Sequence, residues 1–220
     1  LLIGVSLRPT FGSREFKINN RFNSAQLISP GGTIDGQYNK IKLLPFAEYL
    51  PHKNIIPWSE NLTSSAGDFM RGTELTVFAL NGVKFGVTIC WESIFPDLFR
   101  QFVKNGANFM VNITNEAWFE ETAAPYHFMP MNVFRAVENR VSIARAANTG
   151  ISGFIDPQGR VIGKVQVGSK DIFVEGYLTM DITISKIRTF YTMHGDVFAY
   201  LVLLGAAIVT IVPLLKSETP

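Results

Sequence analysis

Between Val197 and Leu215 the chain reads VFAYLVLLGAAIVTIVPLL, 19 residues without a charge. Crossing a bilayer as a helix takes about 20 predominantly apolar residues. No face of this segment is polar, so it fits poorly as the buried helix of a water-soluble core. Its Gly205 and Pro213 are better tolerated in lipid-embedded helices than in soluble ones. The expectation is a C-terminal transmembrane helix over residues 195–216, following a folded domain over residues 1–190. Its orientation stays open, because Lys216 follows the run while Lys186 and Arg188 precede it, with Tyr191 and Tyr200 near that end.

The rest of the chain is suited to a packed core. Of 220 residues, 47% are hydrophobic and 17% charged, and the formal net charge is +2. Charges of both signs are scattered rather than gathered on one stretch, which argues against nucleic acid as a partner. The single cysteine excludes an internal disulfide and any thiolate-cluster zinc site. Leu1 to Leu7 reads as a buried strand with no basic leader before it, unlike a signal peptide, and the chain is read as N-terminally incomplete.

From Leu1 to about Met180, short β-branched apolar runs alternate with amphipathic stretches, the pattern of an α/β layered fold. The runs predict strands at Leu1–Leu7, Thr76–Leu80, Lys84–Ile89, Phe109–Ile113, Gly150–Ile155 and Val161–Val167. Asn81-Gly82 is a hairpin turn signal, and Asp156-Pro157-Gln158-Gly159 marks another turn. Helices are predicted at Pro96–Asn105, stopped by Gly106, and from about Tyr126 to Ala147, where Phe134, Val137, Val141 and Ala144 recur at helical spacing. Glu60–Arg71 reads as a loop.

Cys90 is the sharpest chemical feature. It ends an apolar strand, in GVTICWES, just before a helix signal, and side chains at the carboxyl ends of strands face the ligand crevice of open α/β sheets. A lone cysteine is equally a small buried hydrophobe unless a base accompanies it. His52, His127 and His194 read as structural or interfacial residues, and their spacing does not suggest metal ligands; no metal or cofactor is expected. Lys40 and Glu48 lie in a stretch dense in aromatic residues and prolines. An ammonium beside a thiol favours its ionised form and can stabilise an oxyanion, and a carboxylate can accept a proton. By residue type alone, Lys40 still reads as a surface lysine.

Four ordered motifs, YNKIKLLPFAEYLP, GVTICWESIFPDLFR, NITNEAWFEETAAPYHF and RAANTGISGFIDPQGR, together with RTFYTMHGDVFAYL leading into the apolar run, resemble the nitrilase superfamily of carbon-nitrogen hydrolases. More narrowly, they resemble the periplasmic catalytic domain of the bacterial apolipoprotein N-acyltransferases, over essentially the whole chain. The resemblance implies a nitrilase-like αββα sandwich followed by the transmembrane helix, and a Glu-Lys-Cys triad. Cys90 falls on its nucleophile and Lys40 on its lysine. Glu48 falls on a supporting glutamate, Glu92 on the acidic residue two beyond the nucleophile, and Trp91 on a position that is commonly tyrosine. The general-base glutamate falls in a segment that would precede Leu1.

The implied reaction is acyl transfer from a membrane phospholipid to the N-terminal diacylglyceryl-cysteine of an apolipoprotein through a Cys90 thioester. The implied protein is a monomer embedded in the bacterial inner membrane, with the catalytic domain on the periplasmic side. Phe95, Phe99, Trp118 and Phe119 are lid or lipid-contact candidates, Phe99 reading more as core. Two other readings stand beside this one: a soluble nitrilase-type amidase acting on a small C–N substrate, and an inactive membrane-tethered binding domain.

Overall fold

The computed structural model describes residues 1–7, 21–51 and 69–216. His52 and most of the expected 60–71 loop lie outside them. Two sheets form the centre. In the first, β1 (Leu2–Leu7) pairs antiparallel with β2 (Arg21–Ile28), β2 with β3 (Ile34–Asn39), and the short β4 (Phe69–Met70) runs parallel to β2. The second has six strands in the order β10-β9-β8-β7-β6-β5, comprising β5 (Val77–Leu80), β6 (Val83–Ile89), β7 (Phe109–Thr114), β8 (Ser142–Ala147), β9 (Gly153–Ile155) and β10 (Val161–Lys164). Its middle strands β6, β7 and β8 are parallel, joined through helices α1 (Pro96–Lys104) and α2 (Ala124–Asn139).

Alternation along the strands sorts the layers. Phe78, Phe85 and Phe109 stack at 5.2 and 5.1 Å on one face, where Gly36 of β3 meets the Phe78 ring and Gly4 of β1 meets Ile113. That face packs on the first sheet. Gly86 and Met110 point the other way, and a Cβ on Gly86 would lie 2.8 Å from the Cβ of Phe102, so α1 rests directly on β6. Helices α1 and α2 therefore cover the far face of the second sheet. Leu98, Phe99, Phe102 and Val103 of α1 join Ala25, Leu27, Tyr38, Val87 and Ile143 in one core, each buried Leu, Ile, Val or Phe contributing about 1.5–3 kcal/mol.

Local signals explain most boundaries. Pro96 opens α1, Asp97 and Lys104 suit its two ends, and Gly106 at φ 110° ends it. Asn81 and Gly82 both take positive φ in the β5–β6 hairpin. Two expectations need correction. The helix expected over 126–147 is two elements: α2 stops at Asn139, Arg140 turns left-handed at φ 53°, and Ser142–Ala147 is the parallel strand β8. A strand buried on both faces is a continuous apolar run, which periodicity does not separate from a helix face. The expected apolar face of that helix is also misplaced, since Phe134 is 60% exposed while Asn132, Arg135 and Asn139 are buried. Strands β2 and β3 had no counterpart among the sequence expectations.

At the C-terminal end lie α3 (Phe190–His194), packed on α1, and α4 (Val197–Lys216). The apolar run is thus helical. Its described side chains are exposed, Phe198 at 75%, but among the described residues no helix is long and apolar enough to cross a membrane, so the expected span is not shown.

Candidate active site

The carboxyl ends of β6, β7 and β8, facing β1 and the residues after β3, enclose a cavity of about 680 Å³. Its lining includes Cys90, Lys40, Glu48, Asn23, Thr114, Asn115 and Asn148, with an apolar remainder of Val5, Leu44, Ala47, Phe69, Ile89, Ile113, Trp118, Ala146 and Ala147. Position and size match what a small-molecule cleft in an α/β sheet requires. Among the described residues none of the lining comes from α3 or α4.

Cys90 follows the last residue of β6 and opens a short 3-10 helix, Cys90–Ile94. Its φ of 57° is unusual for a residue with a side chain. A nucleophile on a sharp strand-to-helix turn projects into the crevice instead of into the sheet, and Cys90 is a partly exposed free thiol on the cavity wall. The second helix holds this turn from behind. Asn132 donates to the Ser93 hydroxyl at 3.3 Å and Arg135 to the Ile94 carbonyl at 3.2 Å, which is why α2 buries a polar face.

Lys40 corrects its reading as a surface lysine: it is 1% exposed. It follows β3 directly, and Nζ donates to both carboxylate oxygens of Glu48 at 2.9 Å. The same carboxylate accepts from Asn23 Nδ2 and the Leu44 N–H, each at 2.7 Å. Both oxygens are thus occupied by donors, and Glu48 is the one carboxylate among the described cavity-lining residues.

Glu92 does not reach the cavity. It is fully buried, accepting from the N–H groups of Ile41, Lys42 and Ile89 at 2.7, 2.9 and 2.8 Å and from the Tyr38 hydroxyl at 2.9 and 3.0 Å. One carboxylate therefore ties the backbone just after Lys40 to the backbone just before Cys90. Burial pushes its acid up, against the pull of those N–H and O–H donors; burial beside Glu92 also raises the Tyr38 phenol. Trp91 adds a second tie, its Nε1 donating to the Lys42 carbonyl at 2.6 Å, with its ring edge-on to Phe95 at 4.9 Å.

Of the aromatic candidates, Trp118 is 78% exposed and lines the cavity, and Phe99 is core. Phe119 leans on Phe128 at 5.4 Å. His127 and His194 are exposed and do not line the cavity. Sequence reasoning missed Asn23 and Tyr38, and also Asn112, Glu116 and Arg145, which form a buried polar group under Cys90. Asn112 and Arg145 leave a local trace, a polar residue inside each of the apolar runs FMVNIT and SIARAA, whose meaning depends on strand register; Glu116 lies outside both runs.

Comparison with known proteins agrees with this geometry. The carbon-nitrogen hydrolase family model matches residues 3–191. Apolipoprotein N-acyltransferase of Geobacter metallireducens is 42% identical over 85% of this chain and 35% of its own length. That of Rhodopseudomonas palustris is 32% identical over all of this chain and 40% of its own, so the chain spans less than half the length of these relatives. Among solved structures, the Nesterenkonia sp. AN1 amidase, seen with acrylamide added to its active-site cysteine, superposes with a TM-score of 0.54 at 21% identity over 74% of this chain and 57% of that one, which supports the shared fold. With the family match running from β1 into α3, the chain belongs to the carbon-nitrogen hydrolases, the nitrilase superfamily, and its curated relatives there are named apolipoprotein N-acyltransferases.

Proposed function

We propose that this chain is the catalytic part of an apolipoprotein N-acyltransferase. The observation that carries the reading is a partly exposed thiol and a buried lysine on one largely apolar cavity of about 680 Å³, roomy for a fatty acyl chain and apolar beyond what a small amide needs. In this reading the Cys90 thiolate attacks the sn-1 ester carbonyl of a phospholipid. The C–S bond forms, the ester C–O bond breaks, and the lysophospholipid oxygen leaves with the proton that the thiol gave up. The amine of a diacylglyceryl-cysteine then attacks the thioester: the amide C–N bond forms, the C–S bond breaks, and the proton lost by the amine restores the Cys90 thiol. Lys40 Nζ faces the developing oxyanion. Glu48, saturated by donors, holds Lys40 in place, while Glu92 and Trp91 fix the spacing of the two chain segments.

The reading also takes residues 1–190 as the catalytic domain and residues 195–216 as a membrane-inserted helix of the inner membrane, with the domain on the periplasmic side. Both substrates carry acyl chains, so a site tethered at the bilayer meets them already oriented. The test is incubation with a phospholipid labelled in its sn-1 acyl chain. A labelled thioester on Cys90, absent in Cys90→Ser and reduced at least a hundredfold in Lys40→Ala, supports the proposal. Hydrolysis of small aliphatic amides without any lipid-derived thioester would select the amidase reading instead.

A further inference from the structure

Beneath the cavity, three polar residues sit side by side on three parallel strands. Thr88 of β6 is the register partner of Asn112 on β7, and Asn112 is the partner of Arg145 on β8. All three are buried on the helix-facing side of the sheet, where an apolar row would be the ordinary filling. The Asn112 side chain points its Nδ2 at the Thr88 carbonyl and hydroxyl and at the Cys90 carbonyl, each at 3.1 Å. Its Oδ1 accepts from Arg145 Nη1. Arg145 is itself fixed on its other sides, by Nη2 to Glu116 and by Nε to the Ile151 carbonyl at 3.0 Å.

An amide side chain can be turned over, exchanging its donor and acceptor ends. Here Arg145, which has no acceptor, can bond only the oxygen end of Asn112. The nitrogen end is thereby forced toward Cys90, whose left-handed backbone costs on the order of 1 kcal/mol and persists only where its surroundings hold it. Glu116 fixes Arg145 in turn, and Gly150 leaves room for that carboxylate: a Cβ there would lie 1.8 Å from Glu116 Oε2. Burial pushes the Arg145 guanidinium down and the Glu116 carboxylate opposes it; the link from Arg145 to the Cys90 turn runs through Asn112.

We infer that Arg145, acting through Asn112, is a positioning residue that sets the Cys90 turn for attack on an acyl carbonyl. The inference rests on the reading of Cys90 as the nucleophile. It predicts that losing the Asn112 donor slows acylation without weakening capture of the acyl donor.

The experiment follows pre-steady-state release of p-nitrophenol from p-nitrophenyl octanoate, with mass spectrometry of Cys90. In Asn112→Asp the carboxylate still pairs with Arg145 but has no N–H for the Cys90 carbonyl. The expected result is an acylation rate constant at least tenfold lower, with the ester concentration that half-saturates the burst rate within twofold of wild type. Arg145→Met should behave alike, and Arg145→Lys, which restores one donor to Oδ1, should recover to within about threefold of wild type. Since Arg145→Met leaves the buried Glu116 charge without its partner, the double variant with Glu116→Gln is its replacement if the single one does not fold. Wild-type acylation rates in Asn112→Asp and in the Arg145 variants would overturn the inference. No acylation of Cys90 in the wild type would instead overturn the nucleophile reading on which it rests.

Discussion

At the residue scale, one carboxylate outside the cavity, Glu92, ties together the segments that carry Lys40 and Cys90. Glu92 accepts from three backbone N–H groups and a phenol, and every one of those partners is a donor. A glutamine has the same shape but places an NH2 group against donors, so one or two of them lose their partners while staying buried. Each such loss costs about 1–3 kcal/mol. Glu92→Gln is therefore expected to lower stability by about 1–6 kcal/mol in urea unfolding, the range spanned by one to two such losses. It should also slow Cys90 acylation at least tenfold, because the Lys40 and Cys90 segments lose their shared anchor. A variant with unchanged unfolding midpoint and acylation rate would show that the carboxylate is not the tie between them. Of the candidate site residues, Cys90 stood out in the sequence because it ends an apolar strand, and Lys40 because it lies in a motif dense in aromatic residues and prolines, its strand β3 being polar. Asn112 and Arg145 did not, because their meaning lies in strand register, which no local pattern contains.

At the scale of elements, the α2–β8 boundary shows where periodicity runs out. Val141 and Ala144 continue the helical spacing of Phe134 and Val137, yet the chain leaves the helix at Arg140. Burial decides it: Ile143 and Arg145 complete the sheet beside β7, and a strand covered on both faces needs no alternation. Strands β2 and β3 were hidden for a related reason, their polar residues being paired across strands. Ser24 bonds Asn39 at 2.7 Å and Gln26 bonds Gln37 at 3.1 Å, so a polar sequence is satisfied inside a sheet. The α2 terminus gives a direct test. Arg140 is exposed and holds φ at 53°, a conformation that glycine adopts without the Cβ penalty. Its one side-chain bond among the described residues, to the Pro157 carbonyl, is long at 3.4 Å. Arg140→Gly should raise stability by about 0.5–1 kcal/mol, read as a higher urea midpoint with unchanged slope; a lower midpoint would show that the Pro157 contact outweighs the backbone strain.

At the scale of the whole molecule, two separate apolar surfaces lie on one chain, one concave and one on a helix. The cavity that holds Cys90 is built from strand ends, and among the described residues it shares no lining with α4. Helix α4 presents Phe198, Leu203 and Val209 at 75, 65 and 74% exposure, an exposed apolar surface of the kind that marks a membrane or protein contact. The proposed lipid substrates favour the bilayer as its occupant, and the separation of the two surfaces makes that choice testable without disturbing the chemistry. Substituting lysine for Leu204 and Ile208, one turn apart on α4, places two charges where each costs about 2.5–3.5 kcal/mol in a membrane-inserted helix. Flotation with phospholipid vesicles after a high-salt wash should then fall at least tenfold. Alkylation of Cys90 by iodoacetamide in detergent should stay within twofold of wild type, since the strand ends that carry it are untouched. Undiminished flotation of the double-lysine variant would remove α4 from the membrane-binding role, and a matching loss of alkylation would show that the helix supports the cavity instead of the bilayer contact.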